Sequence, residues 1–208
     1  MSSGQYFDPD PAAPSRVHEV TLTLSGDPLV LSADRGVFSS ARIDPGTLIL
    51  LRSVPDPPVG GDLLDLGCGY GPIALSLARR APEATIWALD INRRALALTA
   101  ANAQRHGLAN VRAVDPDEIP AQLRFAEIWS NPPIRIGKEA LHTLLLRWLP
   151  RLAPGGTARL VVQRHLGADS LAAWLGEQGF VVTRTASKRG YRVLEVHGDD
   201  RNGKPVWR

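Results

Sequence analysis

Two stretches of this chain carry residue types at spacings suited to chemistry on a bound small molecule. The first is an acid followed by alternate glycines, Asp65-Leu66-Gly67-Cys68-Gly69-Tyr70-Gly71-Pro72. The second is Ser130-Asn131-Pro132-Pro133-Ile134. Glycines at a strand end let the backbone approach a ligand, and the helix that follows offers free N–H groups. The spacing is Gly-x-Gly-x-Gly, not the Gly-x-Gly-x-x-Gly that cradles a dinucleotide pyrophosphate. Asp65, just ahead of the first glycine, repels pyrophosphate and disfavours NAD. It suits a cationic cofactor such as S-adenosylmethionine, which carries an ammonium and a sulfonium.

Asp90 is the next mark. It ends the apolar run Ala84–Leu89, where an acid can accept both ribose hydroxyls of a nucleoside cofactor. It could equally cap the helix that starts near Asn92. Asp115 and Asp117 follow the next apolar run. Either could accept a bond from an adenine amine, and either could be a turn residue. Cys68 within the loop, Ile91 beside Asp90 and, further on, Asn131 join the candidate cofactor-binding set. Cys68 has no neighbouring base to make it a nucleophile.

Asn131 offers a side-chain carbonyl. Pro133 lacks an N–H, and the residue before each proline is held out of helical geometry. The stiff backbone lets the Pro132 carbonyl serve as a second acceptor. Two acceptors aimed at one planar amine hold both its hydrogens and turn its lone pair toward an electrophilic methyl group. Positioning and electrostatics then supply most of the acceleration, without a strong base. Alone, Asn-Pro-Pro would read as a tight turn closing a strand. Its company with Asp65, the glycines and Asp90 favours the amine clamp.

Such residues need a scaffold that gathers strand ends. From Gly61 the pattern alternates strands (62–66, 84–90, 110–114, 125–130, 157–163) with helices (71–80, 92–106, 138–151, 168–178), which predicts a parallel sheet covered on both faces. The crossover from Asp115 to Pro120 is too short and proline-rich for a helix. Phe180–Thr185 and Tyr191–His197, joined by Ser187-Lys188-Arg189-Gly190, predict an antiparallel hairpin. The fold class is α/β: a Rossmann-like, doubly wound, mostly parallel sheet with a C-terminal antiparallel hairpin, in the strand order of a class I methyltransferase. Ahead of it come a Pro/Ser/Asp-rich tail (1–15), a strand in Val17–Leu24 and a return strand in Pro28–Ser32. A short extended piece at Gly36–Ser39 follows, then a helix through Val54 with Asp44 as N-cap and Pro45 at its first position. Residues 1–58 form a small β-rich N-terminal extension too small for a core of its own. Residues 59–208 form the methyltransferase domain.

The bulk properties set bounds. With 44% hydrophobic and 22% charged residues among 208, the chain is an ordinary globular protein. A net charge of +3 permits a nucleic-acid partner without requiring one. The single cysteine excludes an internal disulfide and fits a reducing compartment. There is no metal-ligand spacing, no apolar signal core and no run long enough to span a membrane. The expectation is a cytoplasmic protein without metal or membrane; its oligomeric state is not legible.

Asp65 through Ala74, followed by Ser130 through Lys138, resembles the small-domain class I methyltransferase family, which includes the small-subunit ribosomal RNA guanine-N2 methyltransferases. Gly36–Ser39, Asp44–Thr47, Gly156–Gln163 and Lys188–Val193 resemble further segments of that family, from about residue 16 to residue 197. The resemblance implies that Asp65, Gly67, Gly69 and Gly71 bind the methionine end of the cofactor. It gives the ribose to Asp90 and the target amine to Asn131 and Pro132. Phe38 would help cover the cofactor. Many amine methyltransferases carry an aromatic residue after the two prolines. Here it is Ile134, which can cover a base face without ring stacking. Arg135 and Lys138 beside the catalytic loop could neutralise phosphates. So could Lys188 and Arg189 on the hairpin, with Arg184 and Arg192 and no acid among them, although a solvated charged surface would look the same. The implied function is S-adenosylmethionine-dependent methylation of an exocyclic nucleobase amine, guanine N2 in ribosomal RNA, with that RNA or the small ribosomal subunit as partner. The alternatives are a protein amide or small-molecule amine as target, or a non-catalytic RNA-binding factor, which would have no use for Asn-Pro-Pro.

Overall fold

In a computed structural model of the chain, residues 14–24, 26–37, 39 and 41–198 are described. A two-stranded antiparallel hairpin comes first, β1 (His18–Leu22) and β2 (Leu29–Ala33). Its alternation buries Val20, Leu22, Leu29, Leu31 and Ala33 on one face, as a half-exposed strand pair should. Helix α1 (Pro45–Ser53) follows, capped by Asp44, whose carboxylate accepts from Gly46 N and Thr47 N. The main body then runs β3 (Gly60–Leu66), α2 (Pro72–Arg80), β4 (Glu83–Leu89), α3 (Arg93–Arg105), β5 (Val111–Val114) and β6 (Phe125–Ser130). It continues through α4 (Lys138–Trp148), β7 (Leu152–Gln163), α5 (Ala168–Glu177), β8 (Val181–Lys188) and β9 (Tyr191–His197).

Seven strands pair in the order β5-β4-β3-β6-β7-β9-β8. The pairs from β5 to β7 are parallel, and β9 runs antiparallel to both β7 and β8. One face of the sheet packs with β1, β2, α1, α2 and α3 into a single apolar cluster. The other face packs with α4 and α5. Period-2 alternation sorts Leu63 to the first face and Leu64 and Leu66 to the second. Buried Arg159 on β7 ties the neighbouring strands together, pairing with Glu127 on β6 at 3.0 Å and with Glu195 on β9.

The expected strands and helices are all present, and the link from β5 to β6 contains no helix. Four details differ. Strand β8 runs on to Lys188, so the hairpin turn is Arg189-Gly190 alone rather than the whole of Ser187 to Gly190. Gly36-Val37 lies in a turn rather than an extended piece, because Gly36 takes φ 84° and Val37 N donates to Asp34 O at 3.3 Å. Helix α4 stops at Trp148, and a 3-10 turn (Leu149–Arg151) takes over where Pro150 withholds an N–H. Strand β7 begins at Leu152, five residues before the expected start at 157, with a register shift opposite Phe125/Glu127. Phe38 and the expected tail as far as residue 13 lie outside the described residues.

One buried side chain makes three of the bonds that tie the N-terminal hairpin and the glycine loop to α3. Asn102 of α3 accepts from Ser32 N (2.7 Å) and donates to Ser32 O (2.9 Å) and Tyr70 O (2.9 Å). It thereby links β2, α3 and the glycine loop. Asn102→Ala leaves three backbone groups without partners. It is expected to lower unfolding free energy by about 2–4 kcal/mol in urea denaturation; a change under about 0.5 kcal/mol would show the bonds to be dispensable.

Candidate active site

Strand order creates the site. The chain leaves β3 toward β4 and β5, then returns to β6 on the opposite side of β3. A crevice opens where connections diverge in this way, at the carboxyl ends of the strands. The glycine loop follows β3, Asp90 follows β4, and Asn131 follows β6. Buried Ser130 pins the two central strand ends, donating to Leu66 O at 2.6 Å. Gly67 N and Cys68 N both donate to Leu89 O at 2.9 Å, which fastens the loop over β4.

The three glycines differ in purpose. All have left-handed φ: 80° at Gly67, 57° at Gly69 and 96° at Gly71. A Cβ on Gly67 would meet nothing within 4 Å, and one on Gly69 only Val37 Cγ1 at 3.8 Å. These two face open space, a cradle that side chains would fill. A Cβ on Gly71 would strike Leu75 Cδ1 at 2.7 Å and Thr99 Oγ1 at 3.0 Å. Gly71 is therefore glycine so that α2 and α3 can pack closely, and it lines neither cavity of the crevice.

The crevice holds a cavity of about 140 Å³ with apolar walls from Leu66, Leu89, Ile91, Ile136 and Leu144, and with Asp90 and Asn131 as polar groups. A smaller one of about 30 Å³ adjoins Asp44, Thr47, Cys68 and Tyr70. Both are lined by Gly67, Gly69 and Asn131. A larger concavity of about 570 Å³ lies by the other end of α2, and its arginines are engaged. Arg79 donates to Asp27 O, Arg80 to Asp56 and Pro55 O, and Arg52 to Thr23 O. That concavity is a structural seam remote from the glycine loop.

Asp65 sits behind the loop rather than in it. It is fully buried and lines neither cavity. Its Oδ2 accepts from Ala74 N at 2.9 Å in the first turn of α2, and its Oδ1 has no partner. Burial pushes its carboxyl up to about 8, and the nearby charge of Asp90 adds to the effect. Asp90 reaches the cavity, accepting from Gly69 N (2.9 Å) and Asn92 N (3.0 Å). Burial raises its carboxyl too. Helix α3 is capped by Asn92, which accepts from Arg94 N and Ala95 N, so that duty does not fall to Asp90. Asp115 takes a turn role: its Oδ1 accepts from Asp117 N at 3.1 Å and its N donates to Glu118. Asp117 pairs with Arg147, and neither aspartate lines the cavity. Cys68 is buried, with its thiol pushed up by desolvation, and so is no thiolate.

Asn131 is the most firmly oriented group in the crevice. Its Nδ2 donates to Asp44 Oδ1 at 2.8 Å and Thr47 Oγ1 at 3.1 Å. The carboxylate partner identifies the nitrogen end. Both amide hydrogens are spent on the start of α1, and the carbonyl oxygen is the end left for a donor in the cavity. Pro133 has φ −75° and ψ 73°, an inverse γ-turn. The Pro132 carbonyl accordingly accepts from Ile134 N at 2.8 Å. One lone pair of this second expected acceptor is thus engaged and one remains. Asp44 and Thr47 were legible as a helix cap only. Nothing in the sequence spacing joins them to Asn131, more than 80 residues away.

The basic residues divide. Arg184 and Arg192 both pair with Asp169 of α5, so the basic run that has no acid within it meets one from another element. Lys188 and Arg189 remain exposed at the turn. Arg189 (φ 49°) and Gly190 (φ 80°) both take the left-handed geometry that a tight hairpin turn requires. Arg135 and Lys138 are exposed beside the proline turn. Ile134 packs on the apolar cluster of α4 and lines neither cavity, whereas Ile136 does. Among the described residues no cluster suits a metal ion, and no helix is long and apolar enough to cross a membrane.

This chain belongs to the family described as methyltransferase small domain, which matches residues 28–195. It is 34% identical over 197 residues to the uncharacterized protein YbxB of Bacillus subtilis, covering 93% of this chain and 98% of that one. It is 36% identical over 176 residues to ribosomal RNA small subunit methyltransferase C of Stutzerimonas stutzeri, covering 76% of this chain and 52% of that protein. Among solved structures it is similar to the T. thermophilus 16S rRNA N2 G1207 methyltransferase in complex with AdoMet and guanosine. There the TM-score is 0.72 at 25% identity, over 88% of this chain and 51% of that one. The chain spans about half the length of the ribosomal RNA methyltransferases it matches. Its fold is the Rossmann-like methyltransferase fold.

The raised carboxyl of Asp65 has a signed consequence. The unfolded chain releases this proton near the ordinary value of 3.8, and the folded chain holds it to about 8. The folded state binds more protons in between. The contribution to stability is present in full below about pH 4 and is lost as pH rises toward about 8. Asp65→Asn keeps the acceptor for Ala74 N and removes the ionisation. In thermal melts of the cofactor-free protein, the wild type should lose stability relative to Asp65→Asn between pH 5 and pH 8. A constant difference would mean that Asp65 stays ionised throughout.

Proposed function

We propose that this chain is an S-adenosylmethionine-dependent N-methyltransferase acting on an exocyclic amine of a nucleobase, guanine N2 in ribosomal RNA. The observation that carries the reading is the Asn131 amide, clasped by Asp44 and Thr47 with its carbonyl oxygen left to a cavity that it shares with Gly67, Gly69 and Asp90. The likeness to ribosomal RNA small subunit methyltransferase C, and to the structure holding AdoMet and guanosine, supports the substrate class.

The residues present fit the cofactor. Asp90 would accept from its ribose hydroxyls. The apolar wall at Leu89 and Ile91 suits an adenine face, and the open cradle at Gly67 and Gly69 suits the methionine chain. Asp65, with an unpartnered oxygen behind the loop, would offset the ammonium once ionised. The bound cofactor would supply an electrophilic methyl group. The Asn131 Oδ1 would accept one hydrogen of the target amine, and the remaining lone pair of the Pro132 carbonyl the other. With both hydrogens held, the nitrogen lone pair is directed at the methyl carbon. The positive charge that would develop on the amine nitrogen during transfer would be met by the Asn131 Oδ1 and the Pro132 carbonyl. The methylated amine then releases a proton to water. Preorganised acceptors at a developing positive charge need no reorganisation during transfer.

Asn131→Ala should bind S-adenosylmethionine in calorimetry with affinity within about twofold of the wild type, yet transfer its methyl group about 10²–10³-fold more slowly. Thr47→Val, which releases one of the two bonds on the amide, should fall between, at about tenfold. Undiminished transfer by Asn131→Ala would remove the clamp. Tritiated cofactor offered with undermethylated small subunits, free ribosomal RNA and a protein extract should label RNA; label confined to protein would replace the nucleobase with a protein amine or amide.

A further inference from the structure

A further concavity, of about 400 Å³, runs along α1. Its floor is apolar, from Ile43, Leu48 and Ile49, and its rim is basic, from Arg42, Arg52, Lys188 and Arg189. No lining residue is acidic. The one carboxylate at the start of α1, Asp44, is turned the other way, onto Asn131 and the helix N-terminus. The four cations come from two parts of the chain remote in sequence, which only the fold brings together.

We propose that this groove seats the single-stranded RNA flanking the target nucleotide, with phosphates on the basic rim and riboses and bases over the apolar floor. The proposal rests on the reading of Asn131 as an amine clamp for a nucleobase. The start of α1 belongs to both sites: Asp44 and Thr47 hold Asn131, and Ile43 and Pro45 line the groove. A strand whose target base enters the crevice therefore has its neighbours laid along α1. A helix of nine residues is about 13 Å long, the rise of about four stacked nucleotides. Arg42 precedes the helix and Arg52 lies in its last turn, so the rim offers cations at both ends of that span.

The groove is also built in advance. A Cβ on Gly46 would lie 2.8 Å from the Tyr191 ring, so the turn end of the β8–β9 hairpin rests directly on α1. The Tyr191 hydroxyl accepts from Gln163 Nε2 at 2.6 Å, which ties the same ring to β7. Lys188 and Arg189 are thus held over α1 by packing. Arg184 and Arg192 of the same hairpin share Asp169 and do not line the groove. A basic rim supplies affinity through the phosphate backbone without reading sequence, and the aliphatic floor of Ile43, Leu48 and Ile49 offers apolar cover without ring stacking.

The test uses the full chain with Arg42→Ala, Lys188→Ala and Arg189→Ala combined. Arg52 is left alone because it also donates to Thr23 O. Folding and the crevice are checked by thermal melting and by S-adenosylmethionine calorimetry, both of which should match the wild type. Binding of fluorescein-labelled, undermethylated ribosomal RNA fragments is read by anisotropy across a salt series. The triple variant should bind at least about tenfold more weakly, and the slope of log affinity against log salt should fall by about 2, near 0.7 for each phosphate that loses its cation. Unchanged affinity and slope, with the wild type methylating the RNA, would overturn the groove and leave the methyltransferase reading standing. Wild type that neither binds nor labels RNA, but labels an acidic protein, would overturn both and give the groove to a peptide.

Discussion

The clasp of Asn131 by Asp44 and Thr47 is the constraint on which the site depends. A primary amide alone at a strand end rotates freely and presents either end. Here the two donors are committed to a carboxylate and a hydroxyl at 2.8 and 3.1 Å, which leaves the acceptor end for the cavity. The same Asp44 Oδ1 also receives the first N–H groups of α1. The charge that starts the helix therefore orients the amide, and loss of the helix cap would be felt in the crevice. The segment that leads into α1 is in this sense part of the candidate site, while β2 is tied to the body through Asn102.

Opposite Asn131, the glycine loop divides into two jobs. Gly67 and Gly69 open space toward the cavity, whereas Gly71 closes the distance between α2 and α3. Left-handed φ at all three positions brings the loop back over β4, where Leu89 O receives two consecutive N–H groups. The backbone is thereby fixed without side chains, which leaves the crevice wall free for a ligand.

Two buried carboxyls behind this loop bring electrostatic tension. Both are raised by desolvation, and Asp65 also by Asp90. Without a cation nearby the fold favours a proton on Asp65. With one it favours the anion. A cation bound in the crevice would therefore be coupled to the release of a proton from a residue that does not line the cavity. The rim of α1 presents the opposite sign to solvent, so the molecule separates an acidic interior from a basic approach.

The local pattern carried much of this. Strand and helix alternation from Gly61, the cap at Asp44, the helix-free link after β5 and the final hairpin are properties of short windows, where periodicity and turn chemistry decide the outcome. The glycine spacing and the stiffness of Asn-Pro-Pro are local in the same way. Tertiary structure decided whatever depends on partners distant in the chain. Asp115 has turn partners and no place in the cavity. Gly71 answers to Thr99. Arg184 and Arg192 share Asp169, which only the packing of α5 on the hairpin reveals. Asn131 receives its orientation from Asp44 and Thr47, more than 80 residues earlier. The sequence by itself determined which groups could accept an amine and which loop could admit a cofactor. Only the fold decided which way those groups point, because a hydrogen bond between residues far apart in the chain leaves no periodic trace in either segment.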